Sequence, residues 1–132
     1  MNRVEHRVIY GDTDAGQVVY YANYYRWMES GRREIFRKLK IDYVELYNKG
    51  IMSPVVESHC NYFHPARYDD VVIVETRIVD VKEKSIKFDY RVFRKNDKKL
   101  LARGYTVNVF ADKKKIRSIK IPNGIKRKIR ID

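Results

Sequence analysis

The chain has 132 residues, with 29 Lys+Arg against 17 Asp+Glu and a formal net charge of +12. That length suits one domain with its own core, and 44% hydrophobic with 13% aromatic residues excludes a disordered chain. The single Cys60 excludes an internal disulfide, no apolar run approaches the ~20 residues of a membrane span, and the charged opening MNRVEHRVIY does not read as a secretory signal. The expectation is one soluble, cytoplasmic domain over residues 1–132.

From Arg3 to Tyr10 the pattern is short and partly alternating, with Val4, His6, Val8 and Tyr10 on one side, which predicts a first strand. Gly-Asp-Thr-Asp-Ala-Gly follows and is turn chemistry. Tyr21, Tyr24, Tyr25, Met28, Arg32, Ile35, Phe36 and Leu39 then fall three and four apart, an apolar helical stripe crossed by an arginine. Asp42 and Gly50 bracket a second, shorter helix as N-cap and stop. Beyond Pro54 the pattern is that of strands. Ile86, Phe88, Tyr90 and Val92 alternate cleanly with charges, and in the next strand Ala102, Gly104 and Thr106 keep one face small. Small residues on one sheet face call for something thick against it, most simply the long helix. A last short strand is expected near residues 116–119. The sum is an α+β fold, one long helix wrapped by a curved antiparallel sheet, with edges open to a second subunit.

Residues 113–132 carry nine basic residues against one acid, Asp132. Such a segment attracts nucleic acid, anionic lipid or a polyphosphate ligand, or is simply a solvated face. Cys60 and its neighbour His59 should point to opposite faces of a strand, as should His59 and His64, so neither a Cys–His pair nor a metal site is expected there. The many tyrosines fall on core positions of the helix and strands, which argues against a nucleic-acid platform. No cofactor is implied.

The richest stretch is residues 10–24, YGDTDAGQVVYYANY. It sets Asp12 and Asp14 in a turn just before a helix start, where free N–H groups and the helix dipole can hold a developing oxyanion. A carboxylate beside them can attack a carbonyl or activate water. On the residues alone, both aspartates serve equally well to shape the turn and cap the helix.

This stretch resembles the active-site signature of the 4-hydroxybenzoyl-CoA thioesterase family of hotdog-fold enzymes, whose Tol–Pal-associated members read similarly through DTDAGxVVYxAxY. The likeness extends to Tyr24, Trp27 and the turn Ala66-Arg-Tyr-Asp-Asp70. The resemblance implies an acyl-CoA thioesterase with Asp14 as catalytic carboxylate, nucleophile or general base, and the backbone N–H of Tyr21 as oxyanion donor. It implies CoA contacts at Arg67, Lys82, Lys84 and Ser85, and a dimer of dimers whose pockets are shared between subunits. Gln17 departs from the glycine that many members carry there. Tyr21 replaces the histidine of the Tol–Pal type and points toward an aromatic or bulkier acyl group. The Asp-His pair of hotdog dehydratases has no match. The rival class is a non-catalytic hotdog scaffold whose basic segment docks acyl carrier protein, anionic lipid or nucleic acid.

Overall fold

The computed structural model describes residues 1–132. Seven antiparallel strands form a sheet: β1 (Asn2–Arg7), β2 (Ile51–Met52), β3 (Val55–Tyr62), β4 (Val71–Val81), β5 (Ser85–Arg94), β6 (Leu100–Asp112) and β7 (Arg117–Ile119). The order runs β1-β4-β5-β6-β2, with β3 and β7 also paired to β6. Three helices accompany it: α1 (Asn23–Lys38), α2 (Tyr43–Asn48) and α3 (Asn123–Lys126).

The helix α1 lies on the sheet by one face, which includes Gly31 and Arg32 beside its apolar residues. Tyr24, Trp27, Met28, Gly31, Arg32, Ile35 and Phe36 are all buried. The small face of β6 makes room for it, since a Cβ on Gly104 would meet Met28 Cε at 2.8 Å. Phe36 meets Phe88 of β5 with ring centroids 5.8 Å apart. Asp42 caps α2, accepting from the N–H groups of Val44 and Glu45, and Gly50 ends that segment with a φ of +85°.

Three expectations need correction. The first strand stops at Arg7, and Tyr10 begins a short 3-10 turn with its ring exposed, because the Asp12 carboxylate accepts from Ile9 N–H and bends the chain. Tyr21 stands before α1 rather than on its stripe. The last strand begins at Arg117, since Ile116 has a left-handed φ of 51° in the preceding turn. The two-residue β2 and the helix α3 lie outside any pattern seen in the sequence. The basic end is no loose tail: Ile121, Ile125 and Ile129 are buried in the core, and the charges lie outside them.

The strand β3 bonds to β6 on one side only, and seven of its eight residues are exposed. Val55, Val56 and Tyr62 thus form an open, partly apolar edge.

Candidate active site

The turn after β1 folds back on itself. Asp14 N–H donates to Val18 O at 2.9 Å, Gln17 N–H to Asp14 O at 2.9 Å, and Tyr20 N–H to Asp12 O at 2.9 Å. Gln17 takes a left-handed φ of 62°, a conformation a glycine adopts freely and a glutamine adopts at a cost of about 1–2 kcal/mol. The backbone of the turn therefore keeps its shape despite the side chain, which stands exposed.

The two carboxylates of the turn have different surroundings. Asp12 is enclosed by the turn: one oxygen accepts from Ile9 N–H at 3.0 Å and faces His6 Nε2 at 3.0 Å. Its carbonyl oxygen accepts from Asn23 Nδ2 at 2.8 Å, which ties the turn to the first residue of α1. Asp14 is exposed and receives one hydrogen bond, from Gly16 N–H to Oδ1 at 2.8 Å, so Oδ2 is free. Neither side chain caps α1, whose N-cap residue is Ala22 with no side-chain bond. The helix-capping reading of these aspartates is thereby set aside.

The start of α1 keeps donors in reserve. The N–H groups of Asn23, Tyr24 and Tyr25 turn back onto the carbonyls of Tyr20, Tyr21 and Ala22, whereas those of Tyr21 and Ala22 have no acceptor. Tyr21 and Asp14 both line a cavity of about 310 Å³, with Val18, Tyr24, Tyr62 and His64 among its other walls. A free carboxylate oxygen, free N–H groups at a helix start and an apolar wall suit attack on a carbonyl carbon.

The walls are held by tyrosines. Ala66 N–H donates to Tyr24 Oη at 3.2 Å, and Tyr62 Oη donates to the Tyr21 carbonyl at 3.3 Å, which fixes the peptide at the helix entrance. Burial pushes both phenols above their ordinary range, helped for Tyr62 by the neighbouring Cys60, so both keep their protons at neutral pH. Burial likewise pushes the Cys60 thiol up, against a nucleophilic role.

The residues expected to hold CoA do not come together in the folded chain. Arg67 follows Ala66 at the cavity side, its N–H bonded to Asp70 Oδ2 at 2.9 Å and its side chain exposed. Lys82, Lys84 and Ser85 occupy the β4–β5 turn at the far end of those strands, where Lys84 O accepts from Phe110 N–H at 3.0 Å. Ten residues of strand separate the two ends, roughly 30 Å. Tyr62 and His64 were missed as site residues by sequence reasoning. A strand pattern weighs them for burial or metal ligation, and only the fold shows that the end of β3 reaches the helix entrance.

The sequence profile of the thioesterase-like superfamily matches residues 8–129. The chain belongs to that superfamily. Within it, the chain is 30% identical over 127 residues to the 4-hydroxybenzoyl-CoA thioesterase of Pseudomonas sp. strain CBS-3, covering 90% of each chain. It is 34% identical over 122 residues to the acyl-CoA thioesterase YbgC of Haemophilus influenzae, covering 91% of this chain and 88% of that one. Among solved structures it resembles protein TT1821 of Thermus thermophilus, with a TM-score of 0.89 at 30% identity over 97% of this chain and 96% of that one. It also resembles an Asp-to-Asn mutant of 4-hydroxybenzoyl-CoA thioesterase complexed with 4-hydroxybenzoyl-CoA, with a TM-score of 0.87 at 27% identity over 96% of each chain. The α+β arrangement is thus the hotdog fold of this superfamily, the helix α1 being the filling and the sheet its wrap.

Proposed function

We propose that the protein is an acyl-CoA thioesterase, hydrolysing an acyl-CoA to the free acid and CoA. The observation that carries this reading is the meeting of Asp14, with a free Oδ2, and Tyr21, with a free backbone N–H, in one cavity. The names of the superfamily relatives support the substrate class.

In this account the thioester carbonyl oxygen accepts from Tyr21 N–H, where the dipole of the sixteen-residue α1 favours negative charge. Asp14 then attacks the carbonyl carbon to form an anhydride, which water hydrolyses, or it removes a proton from a water that attacks directly. Either route expels CoA as its thiolate, which takes up a proton. Gly16 N–H orients the carboxylate through Oδ1 and leaves Oδ2 for the chemistry.

The CoA nucleotide lies along the surface, with Arg67 on the cavity side and Lys82, Lys84 and Ser85 supplied from the other end of a sheet. Pairing of β3 edges between two subunits would bring that far end toward a partner's cavity, since antiparallel joining reverses the strand direction. We therefore take the active unit to be a dimer joined through β3, with two such dimers forming a homotetramer. A cytoplasmic location accords with a CoA ester as substrate and with the unpaired thiol of Cys60.

The deciding experiment is hydrolysis across a small panel of acyl-CoA esters, short, long and aromatic, followed with a thiol reagent. Release of free CoA at a saturable rate supports the enzyme. Binding of acyl-CoA, acyl carrier protein, anionic lipid or nucleic acid with no thiol release would instead support a non-catalytic scaffold.

A further inference from the structure

A second cavity, of about 480 Å³, shares no residue with the first. It is built between α1, α2 and the segment leading into β3, and Arg32, Arg33, Tyr43, Ser53 and Asn108 line it together with Glu29.

Arg32 is the unusual member. It is only 8% exposed, lies on the buried face of α1, and has no carboxylate within ion-pair distance. Its side-chain hydrogen bond runs from one guanidinium nitrogen to Tyr90 Oη at 3.1 Å, and Tyr90 Oη in turn meets Thr106 Oγ1 at 2.7 Å. Beside it the Tyr43 phenol is pushed up to about 12, burial outweighing the pull of the Arg32 charge, so it is a neutral neighbour and no counter-ion. A buried guanidinium without an ion-pair partner is costly, and its remaining N–H donors on a cavity wall fit a carboxylate.

Two further groups on the same wall lack partners. Asn108 is 2% exposed, and its amide donates to Ser53 O at 2.9 Å while its Oδ1 accepts nothing; Ser53 Oγ is likewise buried and unpaired. Both atoms lie closed to solvent beneath the lining, so the group the cavity offers a ligand is the guanidinium of Arg32. Of the remaining charged side chains, Arg33 adds to the positive field and Glu29 opposes it, leaving the lining net cationic.

We propose that this cavity binds a small organic carboxylate, held by the guanidinium of Arg32. The carboxylate has two sources: the distal acid group of an acyl chain on the thioester, which rests on the thioesterase reading, or a free organic acid acting apart from catalysis.

The test uses Arg32→Met in the full chain. Loss of a buried, unpaired cation for an apolar side chain of similar length should leave the melting temperature of the unliganded protein equal or higher. Calorimetry with benzoate and with neutral benzamide should show benzoate binding the wild type at least about tenfold more tightly than benzamide, and Arg32→Met should erase that preference. Equal binding of the two probes, benzoate binding that survives Arg32→Met, or a lower melting temperature with no benzoate binding by the wild type would each overturn the site. The ratio of kcat/KM for adipoyl-CoA to that for hexanoyl-CoA then separates the sources. A drop of about tenfold in Arg32→Met assigns the site to the acyl chain, and an unchanged ratio with benzoate binding lost assigns it to a free acid. If the wild type hydrolyses no ester of the short, long and aromatic panel, the thioesterase reading fails while the benzoate measurement still judges the Arg32 site.

Discussion

Gly31 of α1 and Thr76 of β4 meet so closely that a methyl group at position 31 would lie 2.1 Å from Thr76 Oγ1. Alanine favours a helix interior by up to about 1 kcal/mol over glycine, yet here the overlap outweighs that gain. Gly31→Ala is expected to destabilise the protein by about 1–3 kcal/mol, read from the midpoint of denaturant unfolding. Gly104→Ala should cost at least as much, because its methyl would lie 2.3 Å from the His59 carbonyl oxygen, and backbone yields less readily than a side chain.

The Tyr43 phenol gives the stability a dependence on alkaline pH. Its folded-state value is raised to about 12 from an ordinary 10.0, by burial first. A raised value means that the unfolded chain loses this proton first, so the stabilising contribution is whole below pH 10 and is lost as pH rises toward 12. Thermal melts of wild type and Tyr43→Phe at pH 9, 10 and 11 should show the variant's melting temperature falling less steeply.

The edge of β3 should be the assembly surface. Light scattering at micromolar concentration is expected to give a mass four times that of the 15.9 kDa chain. A lysine at Val56, which is 60% exposed on that edge, should dissociate the proposed dimers and reduce turnover with them, if the CoA contacts are shared between two subunits as proposed. A monomer with full activity contradicts the shared site.

Lys82→Ala with Lys84→Ala should raise KM for acyl-CoA while kcat changes little, as expected for contacts made equally in ground and transition states. The same pair of changes should leave KM for an acyl-pantetheine substrate unaffected, and the wild-type KM for acyl-CoA should rise with salt. An equal change for both substrates removes these lysines from the phosphate site.

Much of the fold was legible because its signals are local. The alternation of Ile86 to Val92 marks β5, and the small face of Ala102, Gly104 and Thr106 announces the helix above it. What escaped depends on distant partners. The strand β2 exists only through Ile51 and Met52 opposite Asp112 and Ala111, and α3 is a single turn whose role is to bring Ile125 under the core. At the site, the motif fixed attention on Asp12 and Asp14 but could not rank them by chemistry. The bonds to Ile9 and His6 hold Asp12 into the turn through its Oδ2, whereas Asp14 is the one of the two that lines the cavity with Tyr21. Arg32 stood out in the sequence as a break in an apolar stripe, yet its lack of an ion-pair partner is visible only in three dimensions.

The most direct test of the account is the turnover of Asp14→Asn against that of Asp12→Asn, measured on an acyl-CoA that the wild type hydrolyses. Asn at position 14 keeps the shape and the bond from Gly16 N–H but removes the charge and the basicity. The predicted result is a kcat lowered by about 10²–10⁴ with the fold intact and CoA still bound, and a smaller loss for Asp12→Asn through the turn. Near wild-type turnover by Asp14→Asn, or a greater loss in Asp12→Asn, would contradict the assignment of Asp14 as the catalytic carboxylate.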